Sequence, residues 1–188
     1  TLPSMALSLV TTSVPPMGYN SWYDLQYDLN ETNLKETVDV FSSTFVRSRI
    51  FILFTHSLNY PLTHNSNTQG VFRYNYFNLD DGWASDSRDA KTNRLVADPS
   101  RFMNGTLTAL ADYVHSKNLK FGTYTDRGTQ TCAGKPGALG YEKLDAETYA
   151  SWGVDYLKED SCHASTNHSV AFEEYGAMRD ALDATGRP

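Results

Sequence analysis

Val154-Asp155-Tyr156-Leu157-Lys158-Glu159-Asp160-Ser161-Cys162 is the stretch whose reading decides the fold. Val154, Tyr156 and Leu157 form a short β-prone core bounded by Gly153 and Ser161, which predicts a buried strand ending at Glu159 or Asp160. Lys158 and Asp160 are two positions apart, so at strand spacing their side chains leave the same face. A lysine and a carboxylate projecting together from the end of a buried strand are costly to desolvate, which favours a site for charged chemistry. An exposed ion pair at a strand end is the competing reading of this stretch taken alone.

The pattern recurs upstream. Residues 74–79 read as a strand running into Asp80-Asp81-Gly82-Trp83, and residues 119–124 as another running into Thr125-Asp126-Arg127-Gly128. Between them the spacing of Leu107, Leu110, Ala111 and Val114 predicts a helix over 105–117, and a shorter helix is expected over 145–152. Further helices are expected over 31–45, capped by Asn30 with Leu34, Val38 and Phe41 on one face, and over 169–183. Strands alternating with helices through short connections imply βα units and a parallel sheet. Carboxylates at successive strand ends then point to the face where (β/α)-barrels keep their active sites.

The chain has 188 residues, fewer than the about 250 of a complete (β/α)8 barrel. Its last helix runs into Ala184-Thr185-Gly186-Arg187-Pro188, a stop that ordinarily leads to a further strand. The expected fold is therefore α/β, a (β/α)8 TIM barrel truncated to roughly its first four βα units over 15–188. Residues 1–14 read as a signal-peptide remnant or linker. Residues 47–73 break the rhythm, since about 25 residues of no clear structure is long for a barrel connection. They read as an insertion, either a real loop with its own apolar segment or translated non-coding sequence.

A net charge of −6 with no opposing basic patch argues against nucleic acid as a partner, and no apolar run is long enough to span a bilayer. Aromatic residues make up 13% of the chain, which suits stacking on sugars but equally suits an aromatic core. His56, His64, His115, His163 and His168 lack metal-ligand spacing, so no metal or cofactor is expected. Asn30-Glu31-Thr32, Asn104-Gly105-Thr106 and Asn167-His168-Ser169 match the N-glycosylation pattern. With an even cysteine count they favour a secreted or lysosomal protein, where a Cys132–Cys162 disulfide is allowed. Gly128, Gly134, Gly137, Gly140 and Pro136 mark a loop shaped by backbone freedom after the 119–124 strand.

Residues 15–22, 76–83, 109–117, Thr131-Cys132-Ala133-Gly134 and 152–162 together resemble the α-galactosidases (melibiases) and α-N-acetylgalactosaminidases of glycoside hydrolase family 27. The match runs in order over 15–46 and 74–188. The resemblance implies a retaining reaction on terminal α-galactosides, with Asp160 as the nucleophile and an acid/base carboxylate from a later strand, absent from these residues. Lys158 is implied to hold sugar hydroxyls, Asp80 and Asp81 to bind the 4- and 6-hydroxyls, and Trp22 and Tyr124 to line the pocket. Cys132 is implied to pair with Cys162 beside the pocket, and Asp126 to support it. An α-galactoside is the expected partner, with a homodimer of the full-length form. α-N-acetylgalactosaminidase and a non-catalytic truncated product are the alternatives.

Four departures stand out. Tyr27 and Gly82 occupy positions where the family usually has paired cysteines, and Tyr19 replaces a usual tryptophan. Glu159 stands where an aromatic residue is usual, facing the helix layer, where an unpaired carboxylate is costly. Arg127 replaces a small residue, either as the partner of Glu159 or as a group crowding the pocket mouth.

Overall fold

The computed structural model describes residues 16–46 and 74–187. The expectations for 1–14 and for the 47–73 insertion lie outside them. Four strands, β1 (Gly18–Asn20), β2 (Tyr76–Asn78), β3 (Lys120–Asp126) and β4 (Tyr156–Asp160), form one sheet in sequence order. Every neighbouring pair is parallel. Helices α1 (Glu31–Phe41), α2 (Thr108–Ser116) and α3 (Glu142–Trp152) connect them, and α4 (His168–Ala184) follows β4. This is the winding of the first four βα units of a (β/α)8 barrel.

Local chemistry explains the boundaries. Asn30 caps α1 by accepting from Thr32 N and Asn33 N, while the Asn33 side chain accepts from Asn30 N in return. Leu34, Val38 and Phe41 form its buried face as expected. The regular helix ends at Phe41, earlier than expected, and a single π-helical turn continues over Ser42–Val46. α2 begins three residues late because Gly105, at φ 64, and Thr106, extended at φ −133 and ψ 162, are not helical. Gly153, at φ 83, ends α3 in the left-handed conformation that glycine adopts without strain.

The helix-facing side of the sheet carries the core. Phe77, Leu79 and Phe121 pack beneath Leu34, Val38, Leu110 and Val114, all essentially buried. Register places Tyr124 beside Lys158 and Asp126 beside Asp160, so the even-numbered residues share the other side, the barrel interior. Arg88 reaches from the loop after β2 to grip the buried Asp145 of α3 at 2.6 and 2.7 Å, and it also donates to Gly137 O at 2.7 Å. This ion pair anchors the glycine-rich loop to the helix layer. Among the described residues no helix is long and apolar enough to cross a membrane.

Candidate active site

The carboxyl ends of the strands converge on one polar network. Asp80, which follows β2, is almost fully buried, and its Oδ2 accepts from Lys158 Nζ at 2.8 Å and from Asn20 Nδ2 at 2.7 Å. Its backbone N–H donates to Ser21 Oγ at 2.9 Å, so the end of β1 holds the carboxylate by both its side chain and its main chain. Lys158 Nζ also lies 5.0 Å from the centre of the Tyr124 ring. The Tyr124 hydroxyl donates to Asp160 Oδ2 at 3.1 Å, and Ser161 N donates to Asp160 Oδ1 at 2.8 Å. Both oxygens of Asp160 are therefore fixed by a donor.

Asp81 joins from the other side. Its Oδ1 accepts from Gly82 N at 2.7 Å and its Oδ2 from Ala133 N at 2.8 Å. Burial pushes its carboxyl above the usual range, and these N–H donors together with the Thr131 hydroxyl oppose that rise. Burial likewise raises the Tyr124 phenol, reinforced by the Asp81 and Asp160 charges, so the hydroxyl remains a donor.

Cys132 and Cys162 form a disulfide with Cα atoms 5.2 Å apart, and the Cys132 sulfur lies 3.3 Å from the Tyr124 hydroxyl. The fully buried Asp126 accepts from Cys162 N at 2.6 Å and from Gly128 N at 2.8 Å, which sets the main chain on both sides of the bridge. A Cβ on Gly128 would collide with the His163 carbonyl, so the close approach of the glycine-rich loop to the turn after β4 needs that glycine.

Asp80, Asp81, Tyr124, Cys132, Lys158, Asp160 and Cys162 thus lie in one connected network. Trp22 is at its rim. Its indole meets Tyr27 edge-on at 5.2 Å, and the Trp22 backbone N–H donates to Asn20 Oδ1 at 2.9 Å, so Asn20 and Ser21 rather than the ring tie it to Asp80. Sequence reasoning passed over Asn20 and Ser21. Their signal is position, since polar residues directly after an apolar-flanked strand belong to the barrel's carboxyl face.

The departures also resolve. Tyr27 packs on Gly82, whose Cβ position lies 3.0 Å from Tyr27 Cδ1, and Arg101 Nη1 donates to the carbonyls of both Tyr27 (2.9 Å) and Gly82 (3.2 Å). A ring and a guanidinium join the segments at these two positions. Arg127 is not the partner of Glu159. Its ion pair is with Glu174 of α4, because Arg127 leaves β3 toward that helix. Glu159 faces the helix layer as expected, near Glu142 of α3 and Glu174 of α4, and its Oε1 has no hydrogen-bond partner. Of the glycosylation candidates, Asn104 and Asn167 are exposed and Asn30 is half-buried, and the Oδ1 atoms of Asn30 and Asn167 cap α1 and α4.

Parallel strands that deliver carboxylates, a lysine and a phenol to one carboxyl-terminal face define a (β/α)-barrel with its polar site where that fold keeps its active sites. The family model described as Alpha galactosidase A (Melibiase_2) matches residues 14–188, and the chain belongs to that family, glycoside hydrolase family 27. It is 43% identical over 176 residues to an alpha-galactosidase of Cyamopsis tetragonoloba, covering 93% of this chain and 36% of that protein. Identity is also 43%, over 174 residues, to an alpha-galactosidase of Coffea arabica, covering 92% and 39%. The crystal structure of alpha-galactosidase I from Mortierella vinacea superposes with a TM-score of 0.76 at 33% identity, over 93% of this chain and 38% of that one. The alpha-galactosidase MEL1 of Saccharomyces cerevisiae superposes at 0.75 and 35% identity, over 93% and 34%. The chain thus spans well under half the length of the relatives it matches.

Proposed function

We propose that this chain supplies the nucleophile side of a retaining glycoside hydrolase that removes terminal α-D-galactose from oligosaccharides, glycolipids or glycoproteins. The observation that carries the reading is the continuous contact from Asp80 through Lys158 and Tyr124 to Asp160. Asp80 and Asp81 present charged acceptors to sugar hydroxyls, and Lys158 presents a donor beside them. One Asp160 oxygen attacks the anomeric carbon, forming a glycosyl ester as the bond to the aglycone oxygen breaks. The leaving oxygen takes a proton from a second carboxyl about 5–5.5 Å away, which then deprotonates the water that hydrolyses the ester. That carboxyl is read as belonging to a later barrel strand, so the 188 residues alone are expected to be inactive.

The names of the relatives at 33–43% identity favour galactose over N-acetylgalactosamine as the sugar. A secreted or lysosomal location is supported by the Cys132–Cys162 disulfide and by exposed sequon asparagines at 104 and 167. The test is hydrolysis of an aryl α-galactoside by the full-length protein, followed by NMR. α-Galactose is expected as the first-formed anomer, with turnover abolished and galactose affinity kept in Asp160→Asn. First release of the β-anomer, or unchanged turnover in that variant, rejects the assignment.

A further inference from the structure

We propose that Arg127 is a positioning residue for Asp160, clamping the turn that carries this carboxylate onto α4. The proposal rests on the reading of Asp160 as nucleophile. Arg127 directly follows β3 and is 5% exposed, although it carries a guanidinium. Each nitrogen of that group is used. Nε donates to Ser161 Oγ at 2.9 Å, Nη2 donates to Ser165 O at 2.6 Å, and Nη1 pairs with Glu174. The ring of Tyr175 lies beneath it, its centre 5.5 Å away.

The same residue also reaches the nucleophile's backbone, because Arg127 N donates to Asp160 O at 3.0 Å. Asp160 is thereby held at its carbonyl by Arg127's main chain and at Oδ1 by the N–H of Ser161, the residue whose hydroxyl Arg127 grips. The middle of this turn is tied to the loop after β3 by the Cys132–Cys162 bridge, by Cys162 N to Asp126 and by Thr129 N to His163 O at 3.1 Å, while the exposed Ser161 and Ser165 on either side are tied by the Arg127 guanidinium. A planar, multi-donor fork sets three acceptors at once in a way that a lysine's single ammonium does not. Glu174 neutralises the buried charge and makes α4 the fixed end of the clamp. If the Ser161 peptide rotates, the donor to Oδ1 moves with it, and the attacking carboxylate loses its aim. The guanidinium's hydrogen bonds go to Ser161, Ser165 and Glu174 and not to Asp80, Asp81, Tyr124 or Lys158, so Arg127 acts through Ser161 rather than on substrate.

The experiment uses the full-length protein. Calorimetric titration with galactose counts folded sites, and kcat for an aryl α-galactoside is expressed per counted site. Arg127→Ala is expected to lower kcat per site about tenfold to 100-fold, because small misplacements of a reacting group carry costs of that order. Galactose Kd is expected to change by less than about twofold, since the proposed sugar contacts stay in place. Arg127→Lys is expected to recover only a minor part of the loss. Ser161→Ala deletes just the Nε acceptor and is expected to lower kcat per site in the same direction by a smaller factor. It decides the matter if Arg127→Ala does not fold. Wild-type kcat per site in Arg127→Ala, or in Ser161→Ala in that event, assigns the clamp to folding alone and overturns the proposal. A wild-type protein that binds galactose without turning over the glycoside overturns the nucleophile reading, and this proposal with it, before any substitution is made.

Discussion

Lys158 Nζ stands 2.8 Å from Asp80 Oδ2, joining the carboxyl ends of β4 and β2 between residues 78 apart in sequence. Asn20 Nδ2 takes the same oxygen, so a single atom gathers the ends of β1, β2 and β4. The Lys158 side chain is 42% exposed, and a pair this open to water contributes only about 0–1 kcal/mol to folding. Its proposed value is instead as a charged donor to a sugar hydroxyl, worth about 1.5–3 kcal/mol. Lys158→Met keeps the stem and removes the charge. Galactose affinity is expected to fall about 10- to 100-fold by calorimetry, with the thermal midpoint moved by only a few degrees.

Asp155 gathers a second cluster at the amino end of the same strand. It accepts from His115 Nε2 at 2.7 Å, Phe121 N at 2.8 Å and Arg187 Nη2 at 2.8 Å, which bind α2, β3 and the residues after α4 together. Burial alone would raise its carboxyl, but these donors outweigh burial and hold it below the usual range. A depressed carboxylate adds stability above its unfolded value, near 3.9, and loses it as pH falls through the lower folded value. Asp155→Asn is therefore expected to lose about 1–3 kcal/mol at pH 7. In denaturant titrations that deficit is expected to shrink below about pH 4.

These two clusters show what could be read from the sequence and what could not. Strand and helix order was legible because apolar spacing, Asn30 and Gly153 are local signals, and the start of α2 shifted by three residues because Gly105 and Thr106 are not helical. That Asp80, Asp81, Lys158 and Asp160 gather on one face was legible too, since the carboxyl ends of parallel strands share it. Their partners were not. The two-residue spacing of Lys158 and Asp160 places both on one face, yet the pairing that forms is with Asp80, two strands away, and depends on sheet register. Asp155 lies inside the most informative stretch of the chain, but its partners sit 32 to 40 residues away on other elements. Arg127 invited pairing with Glu159 by proximity to the strand ends, whereas its course to α4 delivers it to Glu174.

The Cys132–Cys162 bridge closes a 30-residue separation and holds Ala133 N against Asp81. Cross-linking a loop of that size stabilises by about 2–4 kcal/mol through the unfolded state. The Cys132→Ser, Cys162→Ser double variant is expected to lose that amount in denaturant titration. It is also expected to bind galactose more weakly, because the loop that supplies a donor to Asp81 is released. Loss of stability with unchanged affinity would confine the bridge to folding.

Glu159 is where the fold tolerates an unfavourable group. Burial first, then the charges of Glu142 and Asp126, push its carboxyl up to about 8; Arg127 opposes them, but its side-chain hydrogen bonds go to Ser161, Ser165 and Glu174. Glu159 is accordingly protonated in the folded protein at neutral pH, while the unfolded chain ionises it near the ordinary value of 4.5. A raised folded value means that stability is fully present below 4.5 and is lost as pH rises toward about 8, by up to about 1.4 kcal/mol per pH unit. Glu159→Gln keeps the shape of the neutral acid and removes its titration. Thermal midpoints of variant and parent are expected to converge near pH 4 and to separate steadily to pH 8, with the variant the more stable. A constant gap across that range would mean that Glu159 is ionised in the folded state as it is in the unfolded one.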